Sequence, residues 1–263
     1  PLRPQIQTKL QTVVCCMNRA RAPVAVLTVQ IVPLENSASS LITAFRAGVI
    51  MMSCVFVVAS GIAQQKTVFT EQVYKRINDV YGSNAAEDVA DWRQLIDELQ
   101  QEAIDEKLYS INRFFNRFDF VDDLVHWNEK DYWATPIEFI ATGAGDCEDY
   151  TIAKYFSLIE LGVPESQLRL MYVTALELRQ PHMVLAYYET PTSVPLVLDN
   201  INRRILPANK RRDLSPIYSF NGNGLWAAKA MGTGRKLRGS GPMKMWDDMV
   251  ERLDRVMYGD KEK

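Results

Sequence analysis

Apolar positions recur three and four residues apart from residue 68 to about 118, and alternate beyond residue 167. The first spacing predicts helices and the second strands. "VFTEQVYKRINDVYG" sets Val68, Val73, Ile77 and Val80 at helical intervals and stops at Gly82. "AAEDVADWRQLIDELQQEA" puts Val89, Trp92, Leu95, Ile96 and Leu99 on one stripe, and "KLYSINRFFNRF" does the same with Leu108, Ile111, Phe114 and Phe115. These segments predict an N-terminal helical layer. Residues 119–134 mix acids and aromatics without periodicity and are expected to form a long ordered loop. "TPIEFIATGAGD" predicts a short helix, with Pro136 in its first turn and Gly143 at its stop. "CEDYTIAKYFSLIELG" predicts a strong helix ended by Gly162 and Pro164.

Three strands are predicted by "QLRLMYVTAL", "PHMVLAYYE" and "VPLVLDN", and a fourth by "PIYSFNGNGLW". Connections this short suit antiparallel neighbours. Helices followed by a run of strands indicate an α+β fold, the helical layer packed on an antiparallel sheet. A Gly-rich stretch over 232–241 reads as a linker. The tail "PMKMWDDMVERLDRVMYG" predicts a last amphipathic helix that packs on the body or binds a partner. The expected division is an N-terminal extension over 1–63, a domain over 64–231, and the linker with its helix over 232–263.

The extension changes the cellular picture. "AGVIMMSCVFVVA", from Ala47 to Ala59, is an apolar run of 13 residues after Arg46, with small residues at Gly61 and Ala63 for a cleavage site. That length suits a signal-peptide core and is short for a membrane span, so export to a periplasm is expected, with an uncleaved inner-membrane tether as the alternative. Residues 1–45 show no periodicity and open on Pro1, which suggests an over-extended reading frame or a fragment start. The extension holds five basic residues (Arg3, Lys9, Arg19, Arg21, Arg46) against Glu35, so the net charge of −2 becomes about −6 beyond it. A nucleic-acid binder is therefore not expected. The basic cluster Arg203, Arg204, Lys210, Arg211 and Arg212 reads as a solvated loop, or else as a local polyanion site.

Cys15, Cys16 and Cys54 lie in the extension, so Cys147 is the one cysteine beyond it. A lone thiol there is a packing residue, a metal ligand or a nucleophile. Cys147 stands at a helix start, where free N–H groups and the helix dipole favour a thiolate and suit an oxyanion. His182 begins a predicted strand and Asp199 ends the next, so adjacent strands can bring both to one helix end. A Cys-His-acid arrangement is the chemistry of a thiol protease. His126 is the competing base, placed on a loop rather than a strand. Asp146, Glu148 and Asp149 read as a cap and first-turn acids. As neighbours they oppose a thiolate. A hard cation such as calcium (Ca2+) would offset their field, with Asn128 or Asp131 as further candidate ligands.

"DYWATPIEFIATGAGDCEDYTIAKYFSLIELGVP", "PHMVLAYY" and "LVLDNIN" together resemble the bacterial transglutaminase-like cysteine proteinases, over roughly Lys66 to Lys229. The resemblance implies a papain-like, transglutaminase-type core with a triad at Cys147, His182 and Asp199. It implies calcium dependence, with ligands at Asp146, Glu148 and Asp149. It further implies a large surface adhesin as substrate, cut near its N-terminus to release the cell from a biofilm. An inner-membrane cyclic di-GMP receptor that sequesters the protease is the implied partner. The competing readings are a transglutaminase or amidase with the same triad, and a calcium-responsive, non-catalytic binding module.

Overall fold

The computed structural model describes residues 69–222, 224–227, 236–237 and 241–259. The predicted export segment and most of the predicted linker lie outside the described residues. Three helices come first: α1 (Glu71–Tyr81), α2 (Ser83–Leu99) and α3 (Ile104–Phe115). The Thr70 hydroxyl caps α1 at the Val73 N–H, and Gly82, at φ +91°, makes the sharp turn into α2. The apolar stripes face inward, with Val73, Ile77, Val89, Ile96, Leu108, Ile111 and Phe115 all buried, although Val80 at the end of α1 is exposed. The predicted short helix is α5 (Pro136–Thr142), opened by a Thr135–Glu138 capping box and closed by Gly143 at φ +72°.

The predicted strong helix is α6 (Cys147–Glu160), and it lies at the centre. α3 and α5 pack on one side of it, and α2 packs on α5. Ile152, Ala153 and Leu158 have no exposure, which explains why this helix reads as apolar nearly all round. The indole N–H of Trp92 donates to Ser157 at 2.9 Å and ties α2 to α6. The other side of α6 meets the sheet.

That sheet has seven strands: β3 (Leu168–Ala175), β4 (Gln180–Tyr187), β5 (Leu196–Leu198), β6 (Leu206–Pro207), β7 (Leu214–Asn221), β8 (Gly224–Ala227) and β9 (Lys236–Leu237). The order is β6-β5-β4-β3-β7-β8-β9, antiparallel throughout. The predicted fourth strand is a hairpin of two, β7 and β8, turning after Asn221. Along β3 and β4, alternate residues enter different cores. Leu168, Leu170, Met183 and Leu185 face the helices, while Met171, Val173, Val184 and Ala186 join a cluster with Val197 on the far side. Both faces are covered, so these strands are apolar nearly without interruption.

Two features interrupt the predicted loop over 119–134. A two-residue strand, β1 (Asp119–Phe120), pairs in parallel with β2 (Ala144–Gly145), and a single turn of helix follows as α4 (Asp123–His126). Elements this short leave no periodicity in the sequence. They nevertheless pin the acidic loop against the residues just before Cys147. The tail forms α7 (Gly241–Tyr258) and packs on the body. Trp246 stacks on Phe156 with ring centroids 5.5 Å apart, and the Arg76 guanidinium donates to the carbonyls of Val256 and Met257. No helix among the described residues is long and apolar enough to cross a membrane.

Candidate active site

Asp146 caps α6 and Asp149 returns the bond: the Glu148 N–H reaches Asp146 at 3.4 Å and the Asp146 N–H reaches Asp149 at 3.1 Å. This reciprocal box fixes where the helix begins, and Cys147 is its first residue. Gly145 is required beside it. A Cβ there would lie 2.4 Å from the Asp149 carboxylate and 2.8 Å from the Phe139 ring. The Thr151 hydroxyl lies 2.8 Å from the Cys147 carbonyl and 3.1 Å from that of Met183, bridging the helix start to β4. Cys147 is thereby held against the strand that carries His182.

His182 and Cys147 line one cleft of about 390 Å³, together with Trp133, Tyr172 and Tyr218. His182 is buried, and its Nε2 lies 2.9 Å from Asp199 Oδ1. Asp199 directly follows β5, as the pattern predicts. Its carboxylate is held on every side: the Ile201 N–H donates to Oδ1 at 2.9 Å and the Arg211 guanidinium to Oδ2 at 2.6 Å. Burial pushes the Asp199 carboxyl up, but the hydrogen bond and charge of His182, with Arg211 and Ile201, outweigh it and bring it down to about 2. It is a fixed anion, able to orient an imidazole and support its positive charge. With Nε2 taken by Asp199, Nδ1 is the nitrogen left to exchange a proton.

Arg211 is a correction to the solvated basic loop expected from the sequence. It is buried, pairing with Asp199 and with Asp213 at 2.6 Å each. His126 is placed elsewhere: its Nε2 lies 3.0 Å from the Thr142 hydroxyl, and its ring packs edge-on against Trp127. It does not line the cleft.

The acids around Cys147 form one dense group. Asp123, Asp131 and Glu148 bring carboxylate oxygens within 4.8 Å of one another, as do Asp123, Asp146 and Asp149. The Cys147 thiol itself donates to Glu148 at 2.9 Å. Burial, then the charge of Glu148, pushes Asp146 up to about 10, and burial lifts Glu148 to about 7. The Cys147 thiol is raised well above its ordinary value by burial and then by Glu148 and Asp146, with a backbone bond at Met183 opposing them.

Burial and mutual repulsion raise all three groups, and a positive charge bound beside them would reverse that. Buried Asp123 supplies the test of fit: Oδ2 accepts from the Tyr132 N–H, but Oδ1 has no partner among the described residues. An orphaned carboxylate oxygen facing other hard oxygens fits calcium. Asp146, Glu148 and Asp149 are thus joined by Asp131 and by Asp123, which sequence reasoning missed. Asp123 stands in a run of acids that spacing does not distinguish.

The profile of the bacterial transglutaminase-like cysteine proteinases (BTLCP) matches residues 71–213, a span containing Cys147, His182, Asp199 and Arg211. The chain belongs to this family. The papain-like α+β core expected from the sequence is therefore the fold of this proteinase. Among solved structures it is similar to LapG from Legionella pneumophila, at 40% identity and a TM-score of 0.58, over 68% of this chain and 97% of that one. The calcium-bound form of that LapG matches at 41% identity and a TM-score of 0.59, over 68% of this chain and 98% of that chain. The EGTA-treated form matches at 40% identity and a TM-score of 0.59, covering 68% and 97%. No curated protein matches the chain.

Proposed function

We propose that this proteinase is a calcium-dependent cysteine endopeptidase with Cys147 as nucleophile, His182 as base and Asp199 as the orienting acid. The observation that carries the reading is the buried His182–Asp199 pair opening into the same cleft as a cysteine at a helix start. The Cys147 proton passes to His182 Nδ1, and the thiolate adds to a peptide carbonyl carbon. Its oxygen takes the negative charge and is held at the N-terminal end of α6, where the Cys147 N–H is free of intrahelical bonding. The tetrahedral intermediate collapses, and the leaving amine takes the proton from His182. Water then attacks the thioester, giving its proton back through His182 as the thiol re-forms. Asp123, Asp131, Asp146, Glu148 and Asp149 would hold calcium. Bound there, the ion supplies the positive field that lets Cys147 ionise among acids.

Family resemblance supports a large exported adhesin as substrate, cut near its N-terminus in the periplasm, with a cyclic di-GMP receptor of the inner membrane as the sequestering partner. The test is cleavage of an adhesin N-terminal fragment with calcium, with a chelator, and by Cys147→Ala. Cleavage is expected with calcium alone and is lost in the other two cases. Retained cleavage by Cys147→Ala removes the nucleophile assignment, and cleavage indifferent to chelator removes the metal. Incorporation of an added amine in place of hydrolysis would reassign the same triad to acyl transfer.

A further inference from the structure

Lys154 lies seven residues after Cys147 on α6, about two helical turns away. It is only 1% exposed. An amine removed from water is costly unless its environment answers it, and an apolar residue would fill the same space without that cost. Among the described residues no carboxylate pairs with it directly. Its Nζ donates to Asn116 Oδ1 at 2.6 Å. Asn116, just past α3 and itself buried, donates Nδ2 to the main-chain carbonyl of Asp199 at 2.8 Å. A continuous polar chain therefore runs from the helix that carries the nucleophile to the residue that holds His182.

The geometry points to Lys154 and Asn116 as positioning residues for the triad, fixing the backbone of Asp199 while His182, Arg211 and Ile201 fix its carboxylate. The inference rests on the Cys147–His182–Asp199 reading proposed above. A protonated amine bonded to the carboxamide oxygen polarises the amide and strengthens its second bond, to Asp199. Burial pulls the Lys154 amine down to about 7, and the charge of Asp199 opposes that fall and favours the proton. Asp199 follows a strand of only three residues, so few ladder bonds hold its backbone. A shift there would swing the carboxylate and the imidazole with it.

Asn116→Asp separates positioning from mere support. It keeps the size and the acceptor for Lys154, exchanging a bond to a neutral amide for an ion pair. It also removes the donor to the Asp199 carbonyl and sets an oxygen against it. In the calcium-loaded full chain, kcat on an adhesin fragment should fall on the order of tenfold to a hundredfold. KM and calcium affinity should stay near wild type, and the orphaned Asp199 carbonyl lowers the melting temperature by a few degrees at most. Lys154→Met, which frees the Asn116 carboxamide to turn, should lower kcat in the same sense but less. In an Asp199→Asn background, neither change should lower the residual rate further. Wild-type kcat in Asn116→Asp would overturn the inference. So would an equal loss in the Asp199→Asn background, as a purely structural role requires. If Asn116→Asp fails to fold, Lys154→Met alone decides by the same two criteria. Failure of the triad reading looks different: His182→Ala would then still cleave.

Discussion

Replacing Asp123 with Asn should stabilise the calcium-free protein and weaken the calcium-bound one. Asp123 belongs to both acid groups, with its oxygens within 4.8 Å of those of Asp131, Glu148, Asp146 and Asp149. At an effective dielectric of about 20, two unit charges at that separation repel by about 3 kcal/mol. Protons held by Asp146 and Glu148 already relieve part of this, as their raised carboxyls show. About 1–2 kcal/mol is left for the variant to recover. The carboxamide oxygen can still accept from Tyr132, while the new NH2 replaces the unpartnered Oδ1 and faces acceptors. For a domain of this size, about 1–2 kcal/mol corresponds to a rise in melting temperature of roughly 2–8 °C. With calcium the sign reverses, because a negatively charged ligand has been lost from the site. Thermal melts of both proteins, in chelator and in calcium, read the crossover directly. A variant less stable than wild type in both conditions would refute the reasoning and make Asp123 an ordinary structural acid.

Three further outcomes follow from the site geometry. Asp199 is held down at about 2, below its unfolded value, so it contributes stability that is fully present above about pH 4 and is lost as pH falls toward 2. Arg211→Met should cost about 3–5 kcal/mol in urea denaturation at neutral pH, by leaving that carboxylate buried with a lost partner; a cost under about 1 kcal/mol would show that Arg211 does not hold it. Gly145→Ala must displace the Asp149 carboxylate or the Phe139 ring, so it should weaken calcium binding measured by titration calorimetry, whereas unchanged affinity would separate the α6 cap from the metal site.

The helices and long strands were legible because each buries a stripe whose period matches its geometry, as Ile77, Ile96 and Ile111 show. Cys147, His182 and Asp199 could be assigned to a helix start, a strand and a strand end because each of those elements carries a readable signal. What escaped was set by distant parts of the chain. β6 and β9 have two residues each and exist only through their neighbours. Arg211 looks like its exposed neighbour Arg212 until β5 brings Asp199 beside it. Asp123 differs from Asp119 and Asp122 only because the β1–β2 pairing and the turn of α4 fold it inward. Lys154 reads as a charged residue on an apolar helix, and nothing local shows that its partner is Asn116.

The most direct test of the central claim is the rate at which iodoacetamide alkylates Cys147 near pH 6, followed by mass spectrometry in the calcium-loaded protein. A thiol that gives its proton to His182 should react far faster than one that cannot. The account therefore predicts rapid alkylation of the wild type and a loss on the order of a hundredfold or more in His182→Ala, with Asp199→Asn also impaired. Equal rates in wild type and His182→Ala would contradict it, leaving Cys147 a half-buried thiol beside a structural histidine.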